Sequence, residues 1–140
     1  MQIVASIPSV TSAAALAAAE AAVAYGRSIG KSVVAAVVDV GGDLMACLRA
    51  DGAYAASIGI ARDKAYTAAV FGVATDELGR ALNGNEILRE GIALRPGVIL
   101  FAGGLPIVVD GEVAGAVGVS GGSEDDDRAC ANAGLAALGI

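Results

Sequence analysis

GGLPIVVDGEVAGAVGVSGG occupies residues 103–122. Leu105 to Val109 and Glu112 to Val119 have the apolar, β-branched composition of strands, and Asp110-Gly111 between them is a strong two-residue hairpin signal, because both central positions of such a turn need positive φ. Gly103-Gly104 on one side and Gly115, Gly118, Gly121 and Gly122 on the other leave room for a ligand or a second backbone to come close. Ser123 then caps a final helix, with Asp126 at the third following position as a variant capping box. A helix N-terminus behind a glycine turn can hold an anion on its free amides. Here Glu124, Asp125, Asp126 and Asp127 fill the first turn, where they complement the helix dipole and repel a phosphate, so the loop does not read as a nucleotide site. Nor do four consecutive helical residues converge on one metal ion, since they point in four directions.

Upstream of this hairpin, Ser9 or Thr11 can cap an alanine-rich helix to about Arg27, with Gly30 placed to end it in the left-handed conformation. Ser32 to Val38 and Leu44 to Arg49 form a second predicted hairpin around Asp39-Val40-Gly41-Gly42-Asp43. Asp51-Gly52 breaks it, and a long helix is expected from about Ala53 to Phe71. Shorter helices follow at Thr75 to Leu82 and Glu86 to Glu90, preceded by the capping types Thr75 and Asn85. Val98 to Phe101 reads as a further strand. The order of helix, hairpin, helices, three strands and helix contains few β-α-β crossovers, which favours an α+β domain over residues 1–140 with a mainly antiparallel sheet packed by helices.

Composition narrows the function classes. With 56% apolar residues, 4% aromatics and no tryptophan, the core must be assembled from Ala, Val, Ile and Leu. Only 17% of residues are charged, too sparse a polar surface for a monomer of this apolarity, so a homo-oligomer is expected. The net charge of −6 and the lack of a Lys/Arg cluster argue against nucleic acid and against anionic membranes as partners. No apolar run reaches the roughly eighteen residues of a membrane span, and the N-terminus lacks signal-peptide features, so a cytoplasmic location is expected. Cys47 and Cys130 have no C-x-x-C spacing and no histidine to complete a metal set, and read as reduced apolar fillers.

Candidate chemistry centres on Lys64. Ser57, Ile60, Lys64, Thr67 and Phe71 recur at helical spacing and share one stripe, which places a charge on a mostly apolar face. Such a lysine snorkels, pairs with a carboxylate, or points into a polar pocket where it binds an anion or acts as a base. Asp39 and Asp51, at strand ends, are candidate partners and catalytic carboxylates. Arg49 offers a fork of donors to a carboxylate, while Thr67, Ser57 and Ser120 offer hydroxyls. Gly103, Gly104 and Gly121 complete the expected wall of a substrate site. Asp51-Gly52 is equally well explained as turn chemistry.

Taken together, Gly103-Gly104-Leu105-Pro106-Ile107, Asp110-Gly111 and Gly115 to Gly122, with Val37-Val38-Asp39, Gly41-Gly42, Arg49, Asp51-Gly52-Ala53 and Ala61, Lys64 and Ala65, resemble the GlcG/HbpS-like family of haem-binding and haem-degrading proteins. The resemblance covers nearly the whole chain. It implies a five-stranded antiparallel sheet flanked by helices in a profilin-like layout, homo-oligomers, and haem or corrinoid binding in some members. The chain has no histidine, the commonest protein ligand of haem iron. Tyr54, Tyr66, Met45, Lys64 and Thr67 remain as donors, and Arg49 or Lys64 as partners of the propionates.

Two functions therefore stand before the structure. The first is a cofactor-free isomerase, hydratase or lyase acting by proton transfer on a small anionic catabolic intermediate, with Lys64, Asp39 and Asp51 as catalytic groups; scarce aromatics and the missing histidine favour it. The alternative is a haem- or corrinoid-binding or haem-degrading protein. A non-catalytic structural oligomer is a second alternative.

Overall fold

A computed structural model describes residues 1–140. Helix α1 (Ser12–Ser28) starts at Thr11, whose side chain accepts the Ala14 amide, and stops before Gly30 at φ +75°. Strands β1 (Val34–Asp39) and β2 (Leu44–Arg49) form the first hairpin, with a register shift between Val37 and Val38. Helix α2 (Ala56–Phe71) ends at Gly72 in the left-handed region. Short helices α3 (Thr75–Ala81) and α4 (Glu86–Ala93) precede β3 (Gly104–Val109), β4 (Glu112–Ser120) and α5 (Glu124–Ala137). The Asp110-Gly111 turn has φ +52° and +79°, as a two-residue hairpin demands. Ser123 and Asp126 make the expected reciprocal capping box at the start of α5.

The sheet is antiparallel with four strands in the order β2-β1-β4-β3, not five. The expected strand at Val98 to Phe101 is absent, because two of its backbone amides, and that of Ala102 just beyond it, are taken elsewhere. Ile99 donates to Thr67 Oγ1 (3.0 Å), Ala102 to Glu124 Oε1 (2.9 Å) and Val98 to the Arg95 carbonyl (3.3 Å). Side chains and a turn thus satisfy the donors that a ladder would have used. Thr75 does not cap α3 either; its hydroxyl accepts the Gly104 amide (3.1 Å) and ties α3 to β3.

Helices α1 and α5 cover one face of the sheet and α2 the other, so every residue from Val34 to Val38 is buried. On the α2 side Gly118 lies opposite Gly104 in the β3–β4 register. A Cβ at Gly118 would run into the carbonyl of Ala61 and the amide of Ala65, and one at Gly104 into the carbonyl of Lys64. Gly104 and Gly118 therefore admit the backbone of α2 onto the sheet, and small residues, Ala61, Ala65 and Ala68, line the buried face of that helix.

Candidate functional site

Lys64, on α2, is 1% exposed. Its Nζ donates to the Val119 carbonyl (2.8 Å) and to Asp127 Oδ2 (2.9 Å), and lies 5.2 Å from the centre of the Phe101 ring. Asp127 Oδ1 accepts the Gly122 amide (2.9 Å). Gly103 is required beside it: at φ +126° it has no Cβ, and one placed there would sit 2.6 Å from Nζ. Burial pushes the Asp127 carboxyl above the usual carboxylate range, against the opposing pull of the Gly122 amide and the Lys64 ammonium. The lysine's partner is thus Asp127, and neither Asp39 nor Asp51. Asp127 precedes Cys130, Ala131 and Gly134 at helical spacing on the buried face of α5, a periodic signal that distinguishes it from its three acidic neighbours.

The other anticipated residues are dispersed. Asp39 Oδ1 accepts the amides of Gly41 (2.9 Å) and Asp43 (3.0 Å) and shapes its own turn. Asp51 lies beyond the opposite end of the same hairpin, exposed, in the Asp51-Gly52 turn. Arg49 donates through Nε and Nη2 to the Ala53 carbonyl (3.1 and 2.8 Å), bracing that turn. Thr67 Oγ1 lies 2.8 Å from the Asp63 carbonyl and 2.9 Å from that of Gly97, and holds the loop leading to β3. Ser57 and Ser120 are buried. Four open grooves mark the surface, and none is lined by Lys64, Asp39, Asp51, Arg49, Ser57, Thr67, Gly103, Gly104, Ser120 or Gly121.

Cys130 is buried, and burial together with the charges of Asp127 and Asp126 pushes its thiol up to about 11. Cys47, expected inside, is exposed on the outer strand β2. The valine-rich β1 takes an interior place in the sheet, and β2 at its edge is only partly covered.

The largest concave surface surrounds α4. None of its eight residues is buried, and Ile87, Leu88 and the following Leu94 are 86%, 49% and 84% exposed. One groove of about 630 Å³ runs along Asn83 to Ile87 and Arg89, and another of about 460 Å³ lies between Glu86, Arg89, Glu90, Ala93 and Leu100. Arg89 lines both. Of the nine cations, Lys31, Arg62, Lys64, Arg80 and Arg128 are held by carboxylates; Arg27, Arg49, Arg89 and Arg95 are not, and the last two belong to this arm. The base of the arm is fixed by the bonds from Thr67, Thr75 and Glu124 to residues 97–104. Its sequence signal was available: Ile87, Leu88, Ile92 and Leu94 alternate with Glu86, Arg89 and Glu90 over two turns, an amphipathic pattern with no partner in the fold.

A family model described as haem degrading protein HbpS-like matches residues 10–136. A double mutant of Streptomyces reticuli HbpS superposes with a TM-score of 0.89 at 36% identity, over 98% of this chain and 92% of that one. The structure of a PduOC:haem complex superposes with a TM-score of 0.80 at 29% identity, over 92% of this chain and 94% of that one. The corrinoid adenosyltransferase PduO of Salmonella typhimurium is 33% identical over 126 residues, which span 86% of this chain but only 36% of PduO.

Proposed function

The chain belongs to the HbpS-like family of haem-degrading proteins, and on that premise we propose that it binds haem against the α4 arm. The observation that carries the proposal is the pairing, in an acidic protein, of exposed Ile87, Leu88 and Leu94 with two arginines that no carboxylate holds. A flat apolar ring bearing carboxylates needs both features: an apolar surface for its face and guanidinium forks for its rim. The grooves on either side of Arg89 have the size usual for small-molecule sites.

The donor set fits the periphery of the group better than its metal. With no histidine in the chain, iron at the arm is left to oxygen donors, and Glu86 and Glu90 are those that line the groove of about 460 Å³. Bound haem supplies a redox-active iron; the protein's part is to hold the ring through Ile87, Leu88 and Leu94 and its carboxylates through Arg89 and Arg95.

Acid–base catalysis by Lys64 draws no comparable support. Its ammonium is enclosed, spends two hydrogen bonds on Val119 and Asp127, and opens onto no groove. Titration with haemin followed at the Soret band tests the proposal. Arg89→Ala is expected to weaken binding roughly tenfold, the worth of one charge-assisted bond. Iron-free protoporphyrin, which keeps the carboxylates, is expected to compete. Cobalamin, whose rim carries amides, is expected to compete less well. Binding unchanged by Arg89→Ala and Arg95→Ala together would move the site away from the arm.

A further inference from the structure

Residues 1–7, MQIVASI, lie outside the folded body. Ile3, Val4 and Ile7 are 83%, 74% and 68% exposed, and nothing in residues 1–7 takes part in a hydrogen bond. The chain is fastened just beyond them, where Val10 donates to the Ala114 carbonyl (2.8 Å) and Ser9 Oγ accepts the Val40 amide (3.2 Å). Beside this root lies a groove of about 290 Å³, more apolar than the other three, walled by Val10, Ile107, Val109, Ala114, Leu138 and Ile140. No charged side chain lines it, and none occurs in residues 1–7.

We propose that residues 1–7 of one copy of this chain pack into this groove on a second copy, and reciprocally. The segment is ill placed to enter its own groove. Pro8 is part of that groove's rim, and a residue that precedes proline is biased toward extended backbone, which disfavours the tight reversal Ile7 would need to fold back into it. Seven extended residues reach about 23 Å, enough to cross to a neighbour. Charge favours the same occupant. Two molecules of net charge −6 repel over most of their surfaces, and a segment and a groove that both lack acidic side chains give them a place to meet with less of that penalty. A two-fold exchange uses both segments and both grooves, and so doubles the area buried toward the roughly 1,200–2,000 Å² of a stable interface.

Two experiments decide it, and neither involves haem. In a Cys47→Ser background, a chain carrying Ile7→Cys is mixed with a chain carrying Val109→Cys under mild oxidation. The expected product is a disulfide-linked heterodimer. The proposal is overturned if the mixture gives no cross-link while a single chain bearing both substitutions closes on itself at monomer mass. Sedimentation velocity on the full chain is expected to show self-association that Ile3→Asp with Ile7→Asp weakens at least roughly tenfold. Both side chains are already exposed, so these changes do not threaten folding. A monomeric unsubstituted chain, or an assembly indifferent to the double change, contradicts the exchange.

Discussion

At the scale of single residues, the Lys64–Asp127 pair is the most consequential polar contact in the fold. Lys64→Met leaves a buried carboxylate with no counter-charge and is expected to cost about 3–5 kcal/mol in urea unfolding, whereas replacing both partners by apolar residues of similar size recovers most of that loss. The pH dependence has a definite sign. Burial raises Asp127 in the folded state, so the fold binds that proton more tightly than the unfolded chain does. Stability from this group therefore falls as pH climbs from the ordinary carboxylate range to the raised value, and unsubstituted protein loses ground to Asp127→Asn over that interval. Asp76 works the other way. Burial opposes its ionisation but is outweighed by hydrogen bonds from Arg128 and Arg80, which hold it low. Its contribution is present above the ordinary carboxylate range and disappears as pH falls below it, so Asp76→Asn is expected to flatten the acid limb of the stability profile. The thiols divide just as clearly: a thiol reagent at neutral pH is expected to modify Cys47 in the folded chain and Cys130 only after unfolding.

At the scale of elements, the glycine-rich hairpin was legible from its residues. Asp110-Gly111, the Ser123 capping box and both predicted hairpins rest on local chemistry, and local chemistry survives folding unchanged. What the glycines accommodate was not legible, because it depends on which helix lands on them. Gly118 meets the backbone of α2, and Gly118→Ala is expected to cost about 3 kcal/mol, the upper end for an overpacked core. Gly59, on the same helix with open space around it, gives the contrast: Gly59→Ala is expected to stabilise by about 0.5–1 kcal/mol. Thermal unfolding of the two variants side by side checks both signs. The fifth strand failed for a related reason. Val98 to Phe101 has strand composition, but Thr67 and Glu124 claim amides at Ile99 and Ala102 from 32 and 22 residues away, which no local pattern reveals.

At the scale of the molecule, the candidate site shows the same division between local and distant information. The stripe that singled out Lys64 correctly marked a charge on an apolar face, yet its partner lay in an acidic run whose capping role masked the helical spacing that sets Asp127 apart. Folding leaves two surfaces without partners in the chain, the α4 arm with Arg89 and Arg95 and the uncharged groove beside Pro8. If haem binds at the first and a second copy at the other, the two functions are expected to fail independently: Ile3→Asp with Ile7→Asp alters assembly with haemin affinity retained, and Arg89→Ala does the reverse. The most direct measurement of the central claim is a haemin titration of the unsubstituted chain beside Arg89→Ala with Arg95→Ala. A saturable Soret shift that the double substitution weakens roughly tenfold or more is the predicted result. No saturable shift in the unsubstituted chain, or an equal one in both proteins, would contradict haem binding at the arm.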